Sequence, residues 1–146
     1  MRYSQGKMGR VFVACLEDGE SIYTAVENIA TKENIKSAAV WAVGGMRRGK
    51  VVVGPKMTTG KIYPMHEEFD DAREIVGFGT VFVADGSPKL HFHAGIGRGD
   101  KAIVGCPRDG MDVYLTLEVV IIELEDINAT RELNEDFGVH LLTIKD

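Results

Sequence analysis

Leu90-His91-Phe92-His93 places two of the chain's four histidines two residues apart. In an extended strand, side chains at i and i+2 share a face. The spacing therefore sets the His91 and His93 imidazoles side by side and turns Leu90 and Phe92 the other way. Neutral imidazole is the commonest protein metal ligand. A softer donor, Cys106, follows the glycine-rich turn Gly95-Ile96-Gly97-Arg98-Gly99-Asp100. If the next strand folds back, Cys106 returns toward the two histidines. Two ring nitrogens and a thiolate suit Zn²⁺ and leave a fourth position for water or substrate. The plainer alternative is two strand histidines bonded to backbone or water, beside a cysteine buried as a small hydrophobe.

Other residues gather around this possibility. Glu74 and Glu118 interrupt otherwise apolar strands. Turned inward, either could orient a histidine or act as a general base, and turned outward it would be a solvated charge. Arg98, in the turn between the histidines and Cys106, could hold an anionic ligand. His66 precedes an acidic stretch, Glu67-Glu68-Phe69-Asp70-Asp71, and reads as an exposed loop residue that becomes a fourth ligand only if that loop folds over the site. His140 opens the terminal strand and reads as a surface residue. The glycine turn does not match a dinucleotide fingerprint, and no helix follows it to receive a phosphate.

The elements that must position these groups are mostly strands. Arg10–Leu16 is β-prone and ends at Asp18-Gly19. Ile22, Ala25, Val26, Ile29 and Ala30 repeat at helical spacing, which predicts a helix from Ser21, as its cap, to about Glu33. Ser37–Val43 runs into Gly44-Gly45, and Lys50–Val53 into Gly54-Pro55. Lys61–His66, Ala72–Val83, Lys89–Ile96, Lys101–Cys106, Val113–Leu124 and Val139–Ile144 complete the strands. Lys101–Cys106 pairs as a hairpin with the histidine strand, and Asp126–Thr130 reads as a connector. Glycine inside a strand pattern, as at Gly77 and Gly79, marks a bulge or a close backbone approach; sheet curvature is the preferred reading here, over room for a neighbouring subunit or ligand. One helix among so many strands predicts an α+β domain with a curved, largely antiparallel sheet. A long β-rich run such as Val113–Leu124 aggregates if left as an edge, which points to an oligomer.

The 146 residues suffice for one domain with its own core. Residues 1–9 are polar and read as a flexible N-terminus ahead of a single domain over 10–146. The net charge of −5 argues against a broad nucleic-acid surface. Two cysteines far apart in sequence favour a reducing, cytoplasmic setting without a structural disulfide. No apolar run reaches a membrane span, and the first residues lack the apolar stretch of a signal peptide.

Three blocks carry a resemblance. They are Arg10–Leu16 with Asp18-Gly19-Glu20-Ser21; Ile35–Met46; and Arg73–Gly79 followed by Leu90–Ala94, Val104-Gly105-Cys106 and Thr116–Ile121. In order and spacing the chain resembles the PPC (plants and prokaryotes conserved) domain, in its prokaryotic single-domain form. The resemblance implies a trimeric α+β fold similar to that of acetolactate decarboxylase, whose metal sits on histidines. It also implies His-x-His followed by Gly-Gly-His. This chain keeps His91 and His93 but has Val104-Gly105-Cys106 at the third place, and a thiolate changes the charge and softness of the site.

The resemblance further implies DNA binding, which plant relatives assist with a basic Arg-Gly-Arg-Pro hook. This chain has only Arg47-Arg48-Gly49-Lys50, whose plainer role is a solvated turn between strands. Three functions follow. The first is a DNA-binding or regulatory homotrimer with a metal site. The second is a small zinc-dependent lyase or hydrolase acting on a small oxo acid. The third is a protein-binding module without chemistry.

Overall fold

The computed structural model describes residues 1–108 and 110–145. Its elements run β1 (Lys7–Glu17), α1 (Ile22–Lys32), β2 (Ser37–Pro55), β3 (Pro64–Phe69), β4 (Arg73–Ala84), β5 (Ser87–Arg98), β6 (Lys101–Pro107), β7 (Asp112–Glu125), β8 (Ala129–Asn134) and β9 (Val139–Ile144). This is the α+β architecture the pattern predicts, with one helix against a sheet of nine strands among the described residues. No helix among the described residues is long and apolar enough to cross a membrane.

The sheet curves because β2 is long and serves two neighbourhoods. Its first half lies between β7 and β4, and its second half lies between β3 and β6. Since β4 pairs with β5 and β5 with β6, the path returns to β2 and closes. Among the described residues every pairing is antiparallel except one parallel bridge, Ala84 to Arg131. Sequence reading splits β2 at Gly44-Gly45, but the strand continues through them. A Cβ on Gly45 would lie 2.6 Å from the Tyr114 carbonyl oxygen, so glycine here admits β7 rather than turning the chain. Arg47, Arg48 and Lys50 consequently lie within a strand, not in a turn.

Other boundaries shift for similar reasons. The strand expected at Lys61–His66 sits at Pro64–Phe69, where Phe69 is its buried anchor. The expected connector Asp126–Thr130 gives way at Ala129 to β8, which forms a hairpin with β9. Ser21 occupies the cap position of α1 without a side-chain capping bond. It makes a β-bridge to Asp112 instead. β7 is no edge, since β1 and β2 flank it on both sides. The edge argument for oligomerisation therefore fails for this strand.

The concave face of the sheet wraps α1. Ile22, Val26 and Ala30 from the helix meet Val40, Val81, Phe92, Ile96, Leu117 and Ile121 from the strands. Phe92 is fully buried and lies over Gly77 and Gly79 of β4. A Cβ at Gly77 would crowd this ring and lie 2.8 Å from the His93 carbonyl oxygen. One at Gly79 would lie 2.5 Å from the His91 carbonyl oxygen. The register of β4 and β5 runs without a bulge past both positions. The two glycines thus serve close approach, and they fix the strand that carries the histidines. Gly77→Ala should destabilise the fold by about 1–3 kcal/mol through overpacking, measured by chemical denaturation. Unchanged stability would show that the ring can move aside.

Candidate metal centre

The alternation of β5 does what the spacing predicts. Leu90 and Phe92 are buried, whereas His91 and His93 are exposed on the convex face. Their Nε2 atoms approach to 3.1 Å, with the rings nearly perpendicular. The β5–β6 hairpin turns at Gly99-Asp100, pairing Arg98 with Lys101 and Ala94 with Gly105. One further step in that register sets Cys106 opposite His93. There β6 leaves β5 and passes to β2, where Cys106 pairs with Val52. The ligand atoms of His91, His93 and Cys106 all lie within 4.8 Å of one another.

This donor set fits a tetrahedral metal. Two nitrogens bound to zinc at about 2.05 Å lie about 3.3 Å apart, close to the separation here. Cys106 is buried, and its thiol faces the Pro107 carbonyl oxygen at 3.7 Å. Burial pushes His91 down to about 4, with the positive charges of Arg131, His93 and Arg108 adding to the effect. His91 is thus neutral at physiological pH, the state a metal ligand requires.

The surroundings differ from the sequence expectation. Glu74 and Glu118 are exposed, and neither turns inward. Glu118 pairs with Val43, so β2 and β4 separate it from the histidine strand. Glu74 pairs with Gly97, well along β5 from the imidazoles. Arg98 is not beside the cluster either. β5 continues straight for five residues past His93, about 17 Å, and Arg98 ends in an ion pair with Asp71 at 3.2 Å. His66 is exposed in β3 and pairs with Val52, so one strand separates it from Cys106. It does not join the donor cluster. His140 is partly exposed and paired with Asp85.

Two arginines take the place of the expected acids. Arg131 of β8 reaches across to Thr80, donating to Oγ1 at 2.8 Å. Thr80 is the cross-strand partner of His91. Arg108 follows β6 directly and is anchored by its backbone N–H on the Lys50 carbonyl. The sequence offered one usable signal for Arg131. The β-prone stretch Ala129–Leu133 stands before a Phe137-Gly138 turn and the last strand, a hairpin pattern.

The basic run of β2 is neutralised. Arg47 pairs with Asp18 at 2.5 Å, Arg48 with Asp112 at 2.6 Å, and Lys50 with Glu68 at 3.2 Å. Arg47 also holds Asp18 below the usual carboxylate range, through their hydrogen bond above all.

The convex face around the histidines is mainly apolar. Cross-strand pairing writes three rows over it. Val11, Ile122, Ala39 and Thr80 lead to His91. Val13, Val120, Trp41 and Phe78 lead to His93. Cys15, Glu118, Val43, Val76 and Gly95 lead to Val104. Trp41 packs edge-on against Phe78 at 5.2 Å. Val13, Val76 and Val104 are nevertheless 76%, 67% and 71% exposed.

Residues 3–125 match the Plants and Prokaryotes Conserved domain. The chain belongs to this family. The match stops before β8, so Arg131 lies outside the family segment. No curated protein matches the sequence. Among solved structures, the fold is shared with a metal-containing protein of Archaeoglobus fulgidus, with TM-score 0.86, 20% identity, and coverage of 98% of this chain and 99% of the other. A plant- and prokaryote-conserved protein of Pyrococcus horikoshii gives TM-score 0.82 and 20% identity over 100% and 99% of the two chains. A protein of Bacteroides thetaiotaomicron, named as a candidate DNA-binding protein, gives TM-score 0.78 and 19% identity over 97% of each.

Proposed function

We propose that this chain is a homotrimeric metal-binding protein in which His91, His93 and Cys106 hold a divalent transition metal, zinc first among them. The observation that carries the reading is the mutual approach of three ligand atoms drawn from two strands. The metal-containing description of the Archaeoglobus relative supports it. Both cysteines are free thiols, as a reducing, cytoplasmic setting would keep them.

The trimer rests on the family resemblance and on the convex apolar face. Monomeric soluble proteins rarely leave a contiguous apolar patch of this kind uncovered. The same face carries the histidines, so assembly would screen the metal from bulk water. A metal with an exchangeable position polarises carbonyls or activates water. The catalytic form of this reading is accordingly a lyase or hydrolase acting on a small oxo acid.

DNA binding is the second reading, favoured by the name of the Bacteroides relative. The residues give it little. The chain carries a net charge of −5, and its basic run is paired with acids.

Three measurements separate these readings. Elemental analysis should find about one metal per chain, falling about tenfold or more in His91→Ala and His93→Ala, since even loss of a residue supporting a ligand costs that much. Equal trace metal in all three proteins would remove the site. Sedimentation at micromolar concentration should give a trimer for the parent protein and a folded monomer for Phe78→Lys. A parent protein that sediments as a monomer would remove the assembly. A gel shift at low salt should show no retardation of duplex DNA. Retardation that weakens steeply as salt rises would restore the second reading.

A further inference from the structure

His91 is overlooked by positive charge from two sides, and no acid answers it among the described residues. Arg131 approaches from β8, and Arg108 from the residue after β6. The Arg131 guanidinium is partly buried, donates to Thr80 and lies over the Phe82 ring at 5.7 Å. Both of these partners are neutral. Its Nε is buried with no hydrogen-bond partner among the described residues. Neither arginine forms an ion pair among the described residues, although Arg10, Arg47, Arg48, Arg73 and Arg98 all do. Among the described residues, the potential negative group near Arg131 is Cys106.

Charge counting decides what such a site lacks. Burying a guanidinium without a counter-charge is costly, so buried arginines are normally paired. A divalent ion on two neutral imidazoles and one thiolate keeps a net positive charge. Binding the metal therefore uses the one anion that the described residues offer Arg131 and leaves the surroundings more positive still. A planar guanidinium with free N–H groups matches a carboxylate through two parallel N–H···O bonds.

We infer that Arg131, assisted by Arg108, forms an anion subsite beside the His91–His93–Cys106 cluster, built for the carboxylate of a small acid whose second oxygen donor reaches the metal. The inference rests on the metal reading above and adds the class of ligand. It also assigns a role to a residue outside the family segment.

The test uses the full-length protein loaded with Co²⁺, whose visible absorption reports coordination, titrated with pyruvate or with its neutral analogue pyruvamide. The parent protein should prefer pyruvate by about tenfold. Arg131→Met should bring that preference close to one while the Co²⁺ bands persist, and Arg131→Lys should keep part of it, since charge remains but the fork is lost. Arg108→Met should lower the preference less. An Arg131→Met protein that binds Co²⁺ and still prefers pyruvate as strongly as the parent overturns the subsite. A parent protein without Co²⁺ bands overturns the metal reading itself, and the subsite falls with it.

Discussion

The packing of Phe92 against two glycines is the constraint on which the rest of this structure depends. Phe92 is fully buried over Gly77 and Gly79, and the backbones of β4 and β5 close on each other where the glycines lack side chains. A strand pinned at one residue is pinned in phase. Because successive side chains alternate, locking Phe92 inward forces His91 and His93 outward. A slip of one residue would bury two imidazoles and expose an aromatic ring, exchanging favourable burial for the desolvation of polar groups. The core thus sets the aim of the candidate ligands, although it touches neither ring.

The third ligand depends on a different device, the bend of β2. The hairpin register alone places Cys106 opposite His93, yet a straight β6 would have left it as one more edge residue. β2 is long enough to accept β6 on its second half after accepting β4 and β7 on its first. Cys106 is thereby covered by β2 while its sulfur still reaches the histidines. A buried thiol beside exposed imidazoles gives a site with one closed side and one open side, the asymmetry expected of a centre that exchanges a ligand rather than one that only staples the fold.

These two devices differed in how far the sequence disclosed them. The alternation in Leu90–His93, the hairpin and the single amphipathic helix are local patterns, and each reads directly from residue types. The closeness of Cys106 to the histidines is legible too, because it needs only a two-residue turn. What escaped was non-local. Gly44-Gly45 looks like a break because glycine signals both turns and close approach, and only the position of β7 tells them apart. Arg98 looked adjacent to the cluster because it is adjacent in sequence, whereas an extended strand carries it about 17 Å away. Arg131 enters through a single parallel bridge between Ala84 and Arg131. A one-residue contact leaves no periodicity to read.

The convex face ties the remaining observations together. Each histidine ends a cross-strand row that begins on β1, and the side chains along those rows are mainly apolar. Two of the apolar rows therefore stop where the donor atoms begin. A surface of that composition gains by being covered, whereas a metal and a charged ligand require access, so the two demands meet at β5. Arg131, on β8 beside β4, and Arg108, just after β6, stand near that strand with no acid paired to either among the described residues. Water-covered arginines in such a place would need no explanation. A partly buried one with an unsatisfied Nε does, because the desolvation of its guanidinium is recovered only when an acceptor arrives. The same covering that would favour assembly lowers the local dielectric and strengthens that demand. Assembly, metal and anion are in this way coupled through one face of one sheet, and the strand held by Phe92 is where all three meet.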